Sequence, residues 1–407
     1  MTQMPDAEWL HSPGLARVIA ALKSNDGPPR LVGGAVRDNL LGFSVTDIDL
    51  ATPLVPQDVM GRLEADRIKA IPTGIDHGTV TAVADGHSFE ITTLRRDVST
   101  DGRRATVAFS TDWQEDAARR DFTLNALYAD PVTREIFDYF GGLEDLKNRH
   151  LRFIGSAAQR IAEDHLRILR YFRFLARFGG GQVNDEALAA CSAAAAKMMA
   201  LSRERIASEL IKIMDLPDPV QSVTLMAEHG IFMPFLPEYD RMAPNRLQRL
   251  IQREVHVGQR TSATTRLLCL LPIDAQVADK AAMRLKLSNR MRKEIAARMK
   301  GSEITASTIR AFAYRTDLLS ARDAAILFAP DEELPAALRQ LADWQIPVFP
   351  VKGGDIIAKG LIAGPVVART MEEIRAAWIE HAFPDGDALD RLVDQRVEAA
   401  LLASKKE

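Results

Sequence analysis

Two aspartates separated by a single residue, Asp47 and Asp49, open a short apolar run, and their spacing is the strongest chemical signal in the sequence. In a strand, alternate residues share a face, so both carboxylates project to the same side. Two aligned carboxylates repel each other and lose hydration unless a cation joins them. Mg2+ suits such a pair, because it takes oxygen ligands and keeps positions open for phosphates and water. Paired ions about 3.5–4 Å apart would stabilise both the attacking and the leaving oxygen of an in-line displacement. Upstream, Gly33 and Gly34 would let backbone amides approach an anion, and Arg37, about a turn into the helix beginning there, reaches the same phosphates. Glu90, in the otherwise apolar run 89–94, offers a third carboxylate. Each part also has a plain reading: a solvated strand end for Asp-x-Asp, a turn for Gly-Gly, an edge charge facing water for Glu90. The conjunction across residues 33–49, with Arg37 between, is far more specific than any part.

A second grouping lies at residues 160–177, read as one helix. At about 100° per residue, Ile161, His165, Ile168, Phe172 and Ala176 form an apolar stripe. Arg160, Arg167, Arg170, Arg173 and Arg177 fall on the opposite half, with Asp164 at the seam. Alone this is a solvated amphipathic face. Beside a carboxylate pair that handles phosphates, a charge-complementary face is the better account.

The elements that must position these groups are mixed in the first 150 residues. A short apolar run at 30–33 leads into a helix near 35–41, and 47–51 reads as a strand. A proline-started helix follows at 56–66. Residues 79–84 and 88–94 read as strands joined by an Asp85-Gly86 hairpin turn. The polar stretch 95–104 reads as a mobile loop. Beyond about residue 155 strand signals nearly vanish, and Ala, Leu, Arg and Glu at helical spacing run to the C-terminus.

The whole chain bounds the function class. Its 407 residues allow two or more compact units. With 47% hydrophobic and 26% charged residues, and no apolar run of about 18, it reads as a globular protein without a membrane span. Asp6 and Glu8 near the N-terminus argue against a secretory signal. Cys191 and Cys269, far apart in helical patterns, read as buried free thiols of a reducing cytoplasm. A net charge of -3 neither favours nor opposes nucleic acid, since RNA binding needs local cation density.

Over residues 28–240 the sequence resembles the class II tRNA nucleotidyltransferases and bacterial poly(A) polymerases of the polymerase β superfamily. The likeness rests on ordered segments: 33–49, Arg119-Arg120-Asp121-Phe122-Thr123-Leu124-Asn125-Ala126, Asp138-Tyr139-Phe140-Gly141-Gly142, Glu163-Asp164-His165-Leu166-Arg167 and Leu201-Ser202-Arg203-Glu204-Arg205-Ile206. The resemblance implies an α+β fold: a small polymerase-β-like head with a mixed sheet and helices at 1–150, then an elongated all-α remainder. The neck would span 151–215, the body 216–300 and a tRNA-binding tail 301–407. It implies that Asp47 and Asp49 hold Mg2+, with Glu90 as the third active-site carboxylate. Gly34 and Arg37 match positions that contact the triphosphate; Arg120, Asp121 and Asn125 match the ribose and phosphate segment. Asp164 and Arg167 match the pair that reads the incoming base without a nucleic-acid template, and Arg170 and Arg173 match further nucleotide-binding arginines.

The expected activity is addition of C, C and A to the 3′ end of tRNA from CTP and ATP, with pyrophosphate release. A poly(A) polymerase or an A-only enzyme is the alternative, and a non-catalytic RNA-binding relative would have lost Asp47 or Asp49. Residues 73–81 look like the CCA-adding type, and a Gly-Arg-Arg-Phe run before the Glu90 strand is missing. The 95–104 stretch resembles the flexible loop of complete CCA-adding enzymes. No His-Asp dyad marks a phosphohydrolase domain. The basic stretch 283–300 is a candidate tRNA contact or a plain solvated helix. Neither a membrane nor an obligate protein partner is expected.

Overall fold

The computed structural model describes residues 2–24, 27–100, 105–180 and 182–404. The chain divides into two compact units, Met1–Pro237 and Glu238–Glu407. As expected, the first unit carries a mixed seven-stranded sheet with helices, and the rest is helical.

The strands are β1 (Arg30–Val32), β2 (Ile48–Thr52), β3 (Lys69–Gly74), β4 (Thr79–Ala84), β5 (His87–Thr93), β6 (Arg95–Thr100), β7 (Ala105–Phe109), β8 (Leu127–Ala129) and β9 (Ile136–Asp138). The main sheet runs in the order β3-β4-β5-β2-β1-β8-β9. Among the described residues only β2 and β5 pair in parallel; their register sets Asp49 beside Glu90. The sheet forms because these segments alternate: Val80, Ala82, Ala84, Phe89 and Ile91 are buried, whereas Thr79, Thr81, Ser88 and Glu90 face outward. The β4–β5 turn places Asp85 at φ 50° and Gly86 at φ 81°, the left-handed pair that a two-residue hairpin requires.

On the buried side lie α1 (Pro13–Leu22) and α3 (Pro56–Ala65), while α2 (Gly34–Leu40) links β1 to β2. Val32, Ala51, Leu94, Ala117, Ala126, Tyr128 and Ile154 pack as one apolar cluster. Helix α4 (Trp113–Ala118) follows β7, and α5 (Gly142–Lys147) follows β9. Helices α6 (Ala157–Glu163), α7 (Arg167–Phe178), α8 (Asp185–Ala194), α9 (Arg203–Met214) and α10 (Val220–Glu228) complete the unit.

Two local expectations are corrected. Residues 95–104 are not simply a loop: 95–100 form β6, paired with β7, and only 101–104 lie outside the described residues. Residues 160–177 are two helices, not one. Asp164 takes an extended conformation (φ -151°, ψ 107°), and its carboxylate accepts from the Leu166 amide at 3.1 Å, so α6 stops and α7 starts afresh. The apolar stripe nevertheless holds in part, with Ile161, Ile168 and Phe172 buried and His165 and Ala176 only half-buried.

The second unit is helical throughout its described residues, with an apolar cluster around Val351, Ile356, Ile374, Ala377 and Val393 near the C-terminus. The basic stretch 283–300 is split by a turn between helices Ala275–Arg284 and Asn289–Met299. Its arginines are largely paired internally: Arg284 with Glu238, Arg290 with Glu294, Arg292 with Asp279, and fully buried Arg298 with Asp323.

Candidate active site

The carboxylates are positioned by two adjacent strands. Asp49 is the second residue of β2, Asp47 immediately precedes that strand, and Glu90 sits beside Asp49 on β5. All three line a cavity of about 370 Å³ together with Ile48, Thr81 and Ser88. Burial pushes the Asp49 carboxyl up to about 6; Glu90 and Asp47 reinforce the shift, and Arg120 and Arg37 oppose it. Such crowding is what a divalent cation relieves. Among the described residues no group of three or more His, Cys, Asp and Glu side chains forms a ready-made metal cluster. An all-oxygen carboxylate pair without a protein cage suits a hard cation that completes its shell with substrate phosphate and water.

Asp49 also lines a second cavity, of about 330 Å³, with Gly33, Gly34, Arg37, Arg119, Arg120, Asp121, Asn125, Asp164, Arg167, Arg170 and Phe174. Gly33 caps α2 at φ 62°, ψ -112°, outside the left-handed helical well, a conformation that costs an L residue about 1–3 kcal/mol. A β-carbon there would sit 3.4 Å from the Asn125 carbonyl.

A chain of polar contacts fixes the arginines. Asp38 accepts from Arg37 Nε at 2.8 Å, Arg37 Nη1 donates to Asn125 Oδ1, and Asn125 Nδ2 donates to Asp121 Oδ1 at 3.0 Å. Asp121 Oδ2 in turn accepts from Arg170 at 2.7 Å and 2.6 Å. Burial alone would raise the Asp121 carboxyl, but Arg170, Asn125 and Arg167 outweigh it and hold it below the usual range. Asp121 therefore acts by orienting Arg170. Phe174 lies 4.5 Å from the Arg173 guanidinium and 5.4 Å from that of Arg170, beneath the arginines.

Arg120 is held by buried Asp116, which also accepts from Arg119 at 2.8 Å and from the Tyr128 hydroxyl at 2.7 Å. Burial works against the Asp116 carboxylate, yet Arg120, Arg119 and Tyr128 draw it down to about 2.

The break between α6 and α7 brings Asp164 and Arg167 to the cavity. Asp164 Oδ2 accepts from Arg205 at 2.7 Å. Arg167 donates to the Arg160 carbonyl at 2.8 Å, to Glu163 at 2.5 Å and to the Arg119 carbonyl at 2.9 Å. Both are pinned by other partners and both line the arginine cavity.

Of the residues singled out in the sequence, Gly33, Gly34, Arg37, Arg120, Asp121, Asn125, Asp164, Arg167 and Arg170 share the arginine cavity, and Asp47, Asp49 and Glu90 the acidic one. Arg173 lines neither; its Nε donates to Glu209 on α9 at 2.7 Å. Arg119, Phe174, Asp116, Thr81 and Ser88 were not singled out. Arg119 and Asp116 had a signal, since the 116/119/120 spacing puts an acid below two arginines on one helical turn.

Two family models match parts of the chain, and a relative that matches nearly its whole length decides the family. Residues 29–152 match the model described as Poly A polymerase head domain, and 182–242 match Probable RNA and SrmB- binding site of polymerase A. The chain is 34% identical to the Homo sapiens protein named CCA tRNA nucleotidyltransferase 1, mitochondrial, over 94% of this chain and 89% of that one. The chain belongs to the CCA-adding enzyme and poly(A) polymerase family. Within it, the Oceanobacillus iheyensis CCA-adding enzyme is 42% identical over 198 residues, 48% of each chain. The crystal structure of the Bacillus stearothermophilus CCA-adding enzyme in complex with CTP superposes with a TM-score of 0.70 at 26% identity, covering 97% of this chain and all of that one. Family membership implies a divalent metal, and the Asp47–Asp49 donor set fits one. No described helix is long and apolar enough to cross a membrane.

Proposed function

We propose that this chain adds C, C and A to the 3′ end of tRNA from CTP and ATP, without a nucleic-acid template, using Mg2+ held by Asp47 and Asp49. The carrying observation is that Asp49 forms part of the wall of both cavities, one lined by arginines and one by acids and hydroxyls.

In this reading Arg37, Arg119, Arg120 and Arg170 neutralise the triphosphate, and the backbone at Gly33 and Gly34 lets it approach closely. Asp164 accepts from the exocyclic amino group that cytosine and adenine both carry, and Arg167 donates to a ring nitrogen or carbonyl. Uracil and guanine would leave these groups mispaired, at about 1–3 kcal/mol. The terminal 3′-hydroxyl attacks the α-phosphorus from the acidic side; its O–H bond breaks and the proton passes to water, while the new O–P bond forms as the bond to pyrophosphate breaks. Held by Asp47 and Asp49, a divalent ion would supply polarisation of the α-phosphate and of the attacking hydroxyl. The chain's own contribution is alignment and fixed charge. Helices beyond the head would hold the body of the tRNA, and the free buried thiols of Cys191 and Cys269 suit a reducing cytoplasm.

The test supplies purified protein, Mg2+ and tRNA lacking its CCA end with each labelled triphosphate in turn. Two C residues followed by one A are expected. A single A, or a long A tail, would replace this reading with the A-only or poly(A) one; no incorporation would reject it. Asp49→Ala should lower incorporation by ~10²–10³-fold or more while the circular dichroism spectrum stays unchanged.

A further inference from the structure

We infer that Thr81 and Ser88 are positioning residues for the acceptor RNA, hydrogen-bonding 2′-hydroxyls of its last two nucleotides in the acidic cavity. The inference rests on the nucleotidyl-transfer reading and deepens it on the acceptor side.

The two cavities differ in what they can hold. The first presents five arginines, Arg37, Arg119, Arg120, Arg167 and Arg170, and suits a polyanion. The second is lined by Asp47, Ile48, Asp49, Thr81, Ser88 and Glu90, with no cation. A metal ion on Asp47 and Asp49 would offset part of the carboxylate charge for the α-phosphate, but no lysine or arginine lines this cavity to neutralise the β- and γ-phosphates, which find theirs in the first. An uncharged, hydroxyl-bearing group meets no such penalty, and a ribose is the part of an RNA end that fits this description. Hydroxyl side chains can both donate to and accept from a ribose hydroxyl, whereas ionised carboxylates only accept.

The sheet register sets the distances. Asp49 on β2 pairs with Glu90 on β5, and Glu90 pairs with Thr81 on β4, so the three form one row across neighbouring strands. Neighbouring strands lie about 4.8 Å apart. Ser88 shares their face, two residues before Glu90 on β5. A hydroxyl therefore stands next to the carboxylates on either side of Glu90. The Thr81 hydroxyl is 2.8 Å from that of Thr73, which occupies one of its three hydrogen-bonding positions and orients it. Ser88 Oγ makes no hydrogen bond among the described residues.

A merely structural role, such as strand propensity at Thr81, would not depend on the sugar of the RNA, and this separates the two explanations. The measurement compares kcat/KM for CTP-dependent extension of tRNA lacking CCA with that of the same acceptor carrying 2′-deoxyribose at its last two nucleotides. The natural protein should prefer the ribose acceptor by ~3–10-fold, the effect of one or two neutral hydrogen bonds. The double variant Thr81→Val with Ser88→Ala should fall to near parity, through a higher KM for RNA at unchanged KM for CTP. Thr81→Ser, which keeps the hydroxyl, should retain the preference. Ser88→Ala alone, at an exposed position, should show part of the loss even if the double variant folds poorly. Equal use of both acceptors by the natural protein, or a double variant that keeps the original ratio, overturns the inference. Failure of the natural protein to extend either acceptor would instead overturn the nucleotidyl-transfer reading.

Discussion

Asp164 and Arg167 carry base choice in the proposed reaction, and each is immobilised by groups that the substrate never touches. Arg205 holds one; Glu163 and two backbone carbonyls hold the other. Fixed edges discriminate better than mobile ones, because a wrong base cannot recruit a compensating rotamer. Arg167→Ala is therefore expected to relax the preference for C and A over U and G by about tenfold or more. Competition between labelled triphosphates on one tRNA measures this, and an unchanged ratio would remove Arg167 from base reading. Asp116 is the other decisive single residue. Its carboxyl stands near 2 in the folded protein against an ordinary 3.8, so its pairing stabilises the fold above pH 3.8 and is lost as pH falls toward 2. Asp116→Asn should cost ~2 kcal/mol near neutral pH and flatten the acid limb of a stability–pH profile between those values. An acid limb identical to that of the natural protein would contradict the hub role. The carboxylate pair was legible because so short a spacing keeps Asp47 and Asp49 on one cavity even though β2 starts only at Ile48. The Asp116–Tyr128 contact was not, because only tertiary packing brings α4 to β8.

At the scale of elements, the β4–β5 hairpin could be read from Asp85-Gly86 because turn chemistry is local. The α6–α7 break could not. Glu163 to Arg167 contains good helix formers, and propensity favours continuity. What overrides it is a self-cap by Asp164 together with the pull of Arg205 from α9, a partner 41 residues away. The β6–β7 ribbon was missed for a similar reason: polar, charged residues look like a loop until a partner strand is supplied. Gly33 belongs to this scale, since it sets how α2 leaves β1. Gly33→Ala should reduce stability by about 1–3 kcal/mol through its positive φ. It should also raise KM for CTP several-fold by moving the backbone that approaches the triphosphate. An alanine variant with ordinary CTP kinetics would show that the glycine serves the turn alone.

At the scale of the whole molecule, a division near residue 237 separates the unit that carries the sheet from a helical second unit. Composition marked the passage from mixed to helical structure near residue 155 correctly, but helix follows helix across the later division. Hydrophobic periodicity cannot show which helices share a core. The second unit also contains the densest basic stretch, and there the count of charges misleads. Arg284, Arg290, Arg292 and Arg298 are matched by carboxylates of the same unit. A cation already neutralised by protein displaces few counterions when RNA arrives. Each phosphate contact made by a free cation contributes about -0.7 to -0.9 to the slope of log K against log salt. Association of tRNA with this chain should accordingly weaken with added KCl less steeply than seven basic residues at 283–300 would imply. A filter-binding series from 50 to 200 mM salt (roughly the span over which such slopes are read) would expose a steeper line. That outcome would mean the internal pairs open to release their arginines to the nucleic acid.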